Sequence, residues 1–287
     1  MILDGKELSD RVKAEVKQQV DSFASTYGRP PCLHVVLAGS DPASQVYARN
    51  KSKAAKKVGI DSVTHTFPSD VPQHVLETLV KELNANDEVD AILVQLPLPA
   101  GLSEHAIVDL VDPTKDVDGL HPHNTGLLFG GREGIVPCTP QGCMRLIEES
   151  GVQLAGRFAV VVGRSNLVGK PVAQLLLQKH ATVTMAHSRT QRLDDLCRQA
   201  DVLVVAVGRA GLVKGDWIKP GAVVIDVGTN RVNAGYLVGD VDFESAAERA
   251  SAITPVPGGV GPLTIAYLLQ NTVLAANLSK KRSNKQS

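Results

Sequence analysis

Apolar residues recur along this chain in two alternating rhythms. Leu8, Val12, Val16 and Val20 fall at helical spacing between Lys6 and Tyr27, and Gly28-Arg29-Pro30-Pro31 closes the run. The β-branched stretch Leu33 to Leu37 then predicts a strand, ended by the turn Ala38-Gly39-Ser40-Asp41-Pro42. A helix is expected from Ala43 to Val58, closed by Gly59. It is followed by a strand from Val63 to Phe67 and a helix from Val75 to Leu83. The apolar run Ala91 to Leu96 reads as a strand stopped by Pro97 and Pro99, and Ser103 to Leu110 as a helix. Strand and helix in alternation describe an open parallel α/β layer.

Between Asp112 and Gly134 the periodicity disappears under prolines and glycines, so this stretch is expected to be irregular. Pro137-Cys138-Thr139-Pro140 leads into a helix from about Gln141 to Glu149, read as a bridge to a second domain. A second alternating set starts at Phe158. Strands are expected at Phe158–Val162, Ala181–Ala186, Val202–Val207 and Ala222–Val227, with helices to about Lys179, at Leu193–Gln199 and at Phe243–Ala250. Thr254 to Pro262 then packs three prolines and three glycines into nine residues. This makes a loop that is stiff in places and lets other backbone come close in others. The last helix, Leu263 to about Leu278, is apolar on much of its surface and is expected to return to the first domain. The tail Ser279 to Ser287 is polar and basic, and is expected to fray. The resulting fold class is α/β, with two parallel-sheet domains and a cleft between them. Residues 1–139 with 263–287 form the first domain, and 140–262 form the second, of Rossmann type.

Composition narrows the functional classes. Lys plus Arg and Asp plus Glu each number 30, so the formal net charge is zero. Such a chain has no electrostatic pull toward nucleic acid or an anionic membrane. Aliphatic residues dominate and aromatics make up 3%, which suits strands buried on both faces. Cys32, Cys138, Cys143 and Cys197 are scattered with no C-x-x-C pair, so neither a zinc site nor a disulfide framework is expected. Reduced thiols and an N-terminus carrying Asp4, Lys6, Glu7 and Asp10 point to a cytoplasmic chain.

The strongest local signal is Gly156 to Pro171. The buried strand Phe158–Val162 runs through Gly163-Arg164-Ser165 into a helix that accepts Pro171 early. A helix N-terminus facing a strand end offers free N–H groups and partial positive charge to a phosphate. Gly163 and Gly169 are six apart, so the spacing is not that of G-x-G-x-x-G. In an NAD-type unit an acidic residue after the second strand binds the ribose hydroxyls. Here that strand ends in His187-Ser188-Arg189-Thr190, with no carboxylate. Ser188 and Arg189, with Arg164, instead suit a 2′-phosphate, so NADP is expected over NAD. Gly208 and Gly228 each end a strand where the backbone must come close to a bound cofactor.

In the first domain Ser44, Tyr47 and Lys51 share one face of a helix. A phenol beside a lysine amine can relay protons, and burial favours the neutral amine that acts as a base. The order of elements excludes a short-chain dehydrogenase, in which the Tyr-x-x-x-Lys pair follows the nucleotide loop; here it precedes it. Gln95 is a lone amide in an apolar strand and requires a partner. Asp116 and Asp118 lie in Lys115-Asp116-Val117-Asp118-Gly119, where a carboxylate could hold a planar amino-pyrimidine. No matching ligand cluster supports a metal there.

Taken in order, several segments resemble the bifunctional methylenetetrahydrofolate dehydrogenase/methenyltetrahydrofolate cyclohydrolase family. They are Ser44 to Lys51, Val94-Gln95-Leu96-Pro97-Leu98-Pro99, Lys115 to Gly119, Pro137 to Pro140, Val162 to Ser165, Val168 to Pro171, Asp226-Val227-Gly228 and Thr254 to Pro262. The resemblance covers nearly the whole chain. It implies NADP-dependent oxidation of 5,10-methylenetetrahydrofolate to the methenyl form and hydrolysis of that to 10-formyltetrahydrofolate. By position it makes Lys51 the catalytic lysine, Tyr47 its orienting tyrosine, Gln95 its partner and Asp118 the pterin anchor. Ser44, Val94, Leu96, Pro257, Gly258 and Gly259 would complete the folate pocket. Gly163, Arg164, Ser165, Ser188, Arg189, Gly208, Gly228 and Thr229 would bind the cofactor. A homodimer is implied. Two departures stand out: Leu263 where relatives often carry methionine, and Thr229 where a larger aliphatic is common.

Overall fold

In the computed structural model, residues 1–232 and 235–286 are described. Contacts divide the chain into two units. One comprises residues 11–127, 133–136 and 268–287; the other comprises 1–10, 128–132 and 137–267.

The first unit is built on three parallel strands, β1 (Cys32–Ala38), β2 (Asp61–Phe67) and β3 (Ala91–Val94), in the order β2-β1-β3. β1 is central, and Leu33, Val35, Val36 and Leu37 are all buried, which explains an apolar run interrupted only by the half-buried His34. β2 is an edge strand with mostly exposed or half-buried residues. Helix α1 (Gly5–Tyr27) precedes β1. Helix α2 (Pro42–Val58) follows it and joins it to β2. Asp41 caps α2 by accepting from Ser44 N, and Gly59 ends it at φ 88°, a left-handed conformation that glycine adopts without strain. Helix α3 (Gln73–Ala85) buries Leu76, Val80 and Leu83 against Val36, Ala38, Ile92 and Val94. Each such side chain contributes about 1.5–3 kcal/mol. Helix α4 (Glu104–Val108) starts at Ser103, whose hydroxyl accepts from Ala106 N.

The stretch expected to be irregular contains a helix, α5 (Pro122–Phe129). Pro122 pre-sets the first turn, and Gly131 at φ 64° follows its end. Gly126 inside it masked the periodicity.

The second unit is a five-stranded parallel sheet. Its strands are β4 (Phe158–Val162), β5 (Thr182–Ala186), β6 (Val202–Val205), β7 (Val223–Asp226) and β10 (Ala252–Ile253), in the order β10-β7-β6-β4-β5. Helices α6 (Cys138–Glu149), α7 (Gly169–Gln178), α8 (Leu193–Cys197) and α9 (Phe243–Ala247) accompany it. On one face Val160, Val162, Leu203, Val205 and Val224 pack with Cys197, Ile218 and Ala246. Two pieces went unforeseen. One is a short hairpin of β8 (Asn230–Arg231) and β9 (Leu237–Val238). The other is β10, whose Ile253 also bridges Ile2, with Ile253 N donating to Met1 O and Leu3 N to Ile253 O. Helix α10 (Val260–Gln286) extends through most of the tail expected to fray. Lys, Arg and Gln are good helix formers, which permits this. Ser287 lies outside the described residues.

Candidate functional site

In open parallel sheets ligands sit beyond the carboxyl ends of the strands, where the strand order reverses. In the three-stranded sheet β1 connects to β2 on one side and has β3 on the other, so the reversal falls between β1 and β3. Gln95 follows β3 there, and its N–H still pairs with Val36 O at 2.9 Å. Its side chain has a fixed orientation. Nε2 donates to Leu96 O at 2.7 Å, which turns Oε1 toward Lys51 Nζ, the donor of a 3.0 Å bond. Lys51 is 7% exposed and Gln95 9%. An amine and an amide, each taken from water, thus satisfy one another, as buried polar groups must. Val94 is buried beside this pair and Leu96 half-buried.

Ser44 is buried on the same helical face, whereas Tyr47 is 40% exposed. Among the described residues the hydrogen-bond partner of the Lys51 amine is Gln95. No hydrogen bond joins Tyr47 to that amine among the described residues.

Asp118 is half-buried on a segment pinned at three points. Lys115 is 5% exposed and its amine donates to Leu83 O, Asn84 O and Asn86 O, at the carboxyl end of α3. Asp116 accepts from His121 N at 2.8 Å and Asn124 Nδ2 at 2.9 Å, at the start of α5. Burial pushes its carboxyl above the usual range, and those hydrogen bonds oppose the shift. Asn271 on α10 donates to Val117 O and Val136 O, both at 2.9 Å. Asp116 forms a parallel bridge with Ile92, so the chain toward Asp118 runs in the same direction as β3. Lys115, Asp116 and Asn271 were not foreseen as supports. Asn271 carried no comparable signal, because Gln270 and Thr272 flank it and only the fold shows which of the three donates to Val117 and Val136.

In the five-stranded sheet the reversal falls between β4 and β6. Gly163 ends β4 at φ 135°, and a Cβ there would collide with Ala206 O beyond β6. Gly169 has the same role one turn on, since its Cβ would meet Gly163 O. Both glycines therefore serve backbone packing within the loop. The amides expected to stand free at α7 are partly engaged. Ser165 Oγ accepts from Val168 N at 3.1 Å and Gly169 N at 3.4 Å.

Arg164 and Ser165 are exposed, as are Ser188 and Arg189 after β5. The β4/β5 register pairs Val162 with Ala186, so Arg164 and Ser188 each stand two residues past a matched pair. A tight turn in which His187 N donates to Thr190 Oγ1 at 2.9 Å holds Ser188 and Arg189 outward. Among the described residues neither Arg164 nor Arg189 has a carboxylate partner. This donor pair fits a phosphate monoester.

Gly208 after β6 is exposed at φ 66°, with nothing within 4 Å of where its Cβ would lie. Gly228 after β7 is buried, and a Cβ there would strike the Asp240 carboxyl. Thr229 is exposed. Pro257 is exposed, Gly258 lies at φ 109°, and a Cβ on Gly259 would strike Pro255 O and Thr254. These three belong to the unit of the five-stranded sheet. Among the described residues no three His, Cys, Asp or Glu side chains are grouped to hold a metal.

Comparison with known proteins gives a consistent result. Residues 3–118 match the family model for the tetrahydrofolate dehydrogenase/cyclohydrolase catalytic domain, and residues 137–280 the model for the NAD(P)-binding domain of the same family. The bifunctional protein FolD of Sorangium cellulosum is 60% identical over 96% of this chain and 96% of its own length. The solved FolD methylenetetrahydrofolate dehydrogenase/cyclohydrolase of Campylobacter jejuni is 46% identical and superposes with a TM-score of 0.95, covering 97% of this chain and 99% of that one. The Trypanosoma brucei N5,N10-methylenetetrahydrofolate dehydrogenase-cyclohydrolase, solved with NADP cofactor and an inhibitor, is 41% identical with a TM-score of 0.94, covering 98% of both chains. Its two matched models, its full-length likeness to FolD proteins and its two parallel sheets together mean that this chain belongs to the tetrahydrofolate dehydrogenase/cyclohydrolase family.

Proposed function

We propose that this chain is an NADP-dependent 5,10-methylenetetrahydrofolate dehydrogenase and 5,10-methenyltetrahydrofolate cyclohydrolase. The observation that carries the chemistry is the buried Lys51–Gln95 bond, with the amide orientation fixed by Leu96 O. The donors at Arg164, Ser188 and Arg189 fit the 2′-phosphate of NADP, which supplies the hydride acceptor when bound.

In the first reaction the bridging methylene loses hydride and becomes the methenyl cation. A neutral partner such as Gln95 holds the Lys51 amine without adding charge beside that cation. In the second reaction water adds to the methenyl carbon and the ring opens to the 10-formyl product with release of a proton. Lys51 accepts the proton of the attacking water and returns one to the departing ring nitrogen. Tyr47, exposed on the same helical face, is within reach of solvent and completes the relay. Asp118 accepts paired N–H bonds from the pterin. Ser44, Val94, Leu96, Pro257, Gly258 and Gly259 bind folate, and Gly163, Ser165, Gly208, Gly228 and Thr229 bind the cofactor beside the two arginines. In this division of labour residues 1–139 with 263–287 serve folate and 140–262 serve NADP, Pro257, Gly258 and Gly259 of the latter being the part that reaches folate. The protein works as a cytoplasmic homodimer.

Absorbance assays with the reduced folate and NADP⁺ test both activities. Lys51→Met should lower methenyltetrahydrofolate hydrolysis at least a hundredfold while calorimetry records unchanged NADP binding. Undiminished hydrolysis removes Lys51 from the mechanism.

A further inference from the structure

Two buried carboxylates at the carboxyl end of the five-stranded sheet take no part in the chemistry above. Asp240 has no exposed surface, yet among the described residues it carries no basic partner. Its charge is met by four N–H donors. Oδ2 accepts from Val207 N at 2.6 Å and Gly208 N at 2.9 Å; Oδ1 accepts from Arg209 N and from Asn230 Nδ2, both at 2.8 Å. Three successive amides converging on one anion form the concave arrangement that elsewhere captures phosphate. Here the captured anion belongs to the protein.

Asp226 repeats the arrangement one strand over. Its Oδ1 accepts from Gly228 N and Asp240 N, and its Oδ2 from Val241 N, all at 2.9 Å. The two carboxylates also exchange glycines. A side chain at Gly228 would strike the Asp240 carboxyl, and one at Gly239 would strike the Asp226 carboxyl. Asp226-Val227-Gly228 and Gly239-Asp240 are therefore reciprocal, each glycine making room for the other segment's acid.

This lacing fixes the segments that follow β6 and β7. Val207 to Arg209 is held by Asp240; Gly228 is held by Asp226; Asn230, just past Thr229, is held by Asp240 again. Gly208 then presents its backbone to open space at a positive φ. We infer that Asp240 is a positioning residue for the dinucleotide: its carboxylate pre-forms the Val207–Arg209 backbone and the start of the hairpin, and so sets cofactor affinity without entering the chemical step. The inference rests on the proposed function, in which these loops meet NADP.

Asp240→Asn is the direct test, because it keeps the shape and points an N–H₂ donor at N–H donors. The expected result is a KM for NADP raised at least tenfold, with kcat at saturating NADP within threefold of wild type and the KM for methylenetetrahydrofolate unchanged. A loss in kcat with unaltered NADP affinity overturns the inference. Hydrogen exchange on the cofactor-free wild type supplies a second reading that needs no variant. The amides of residues 207–209 should exchange as slowly as those of β6; rapid exchange overturns a pre-formed loop. A wild type that does not bind NADP sinks the functional reading, and this inference with it. A wild type that binds, with a variant that binds equally well, sinks this inference alone.

Discussion

At the scale of single residues Gln95 was legible as a side chain in need of a hydrogen bond. A polar group inside an apolar strand announces a partner, and Lys51 is that partner. The geometry adds what sequence cannot supply, namely which end of the amide faces the amine. Removing the side chain leaves the Lys51 amine buried without its acceptor. Gln95→Ala should cost about 1–3 kcal/mol of stability. Urea unfolding would measure this, and an unchanged midpoint would mean the bond contributes nothing. Asp240 marks the opposite case. Three of its four partners are backbone amides some thirty positions away, and backbone N–H groups have no letter in a sequence. Tyr47 lies between the two cases: its helical face was legible, but its exposure was not.

At the scale of elements, legibility followed length. β1, α2 and β4 each carry enough residues for an apolar run or a period to show, and their ends fall close to the expected glycines and prolines. β8, β9 and β10 are two residues each and hold no period at all. The strand pair β1/β2 carries a further consequence. His34 Nδ1 and His65 Nε2 are 2.9 Å apart across it. Desolvation lowers both rings below their usual value, and for His34 the neighbouring His65 and Lys115 lower it further. A base whose folded value is depressed contributes stability above its unfolded value, near pH 6.5, and loses it as pH falls through the folded one. The unfolding free energy should therefore drop between pH 7 and pH 5. His34→Gln should flatten that slope. Asp226, raised by burial to about 6, acts in the opposite sense, its contribution being lost as pH rises through that value. The comparison with the variant is thus the informative one, and parallel slopes for both proteins would exclude the histidine pair.

At the scale of the molecule, an ordered set of modest motifs was legible where no single motif sufficed. The segments resembling the folate family are spread from Ser44 to Pro262 and fall in both units. The part played by the chain's first residues was not legible. Met1, through its terminal ammonium, donates to Ser251 O at 2.7 Å, and Leu3 is buried at 1% exposure. Ile2 is paired with Ile253 on the outermost strand of the five-stranded sheet. Deleting residues 1–3 forfeits a buried leucine and the bonds to β10, together about 2–4 kcal/mol. Hydrogen exchange at Ile253 and Val224 should quicken in the truncated protein; unchanged protection would show that this edge holds without its N-terminal neighbour.

The glycines that end β4 and β7 affect how tolerance maps of this family are to be understood. A saturation screen for growth would score Gly163, Gly169 and Gly228 as forbidding, and that pattern invites interpretation as a footprint left by nucleotide. Each of the three is crowded by its own polypeptide. Gly208, with open surroundings, is the position among them at which a penalty for alanine would have to be apportioned between backbone strain and an incoming ligand. The same screen run on folding alone, with no cofactor in the readout, would separate the two kinds of glycine.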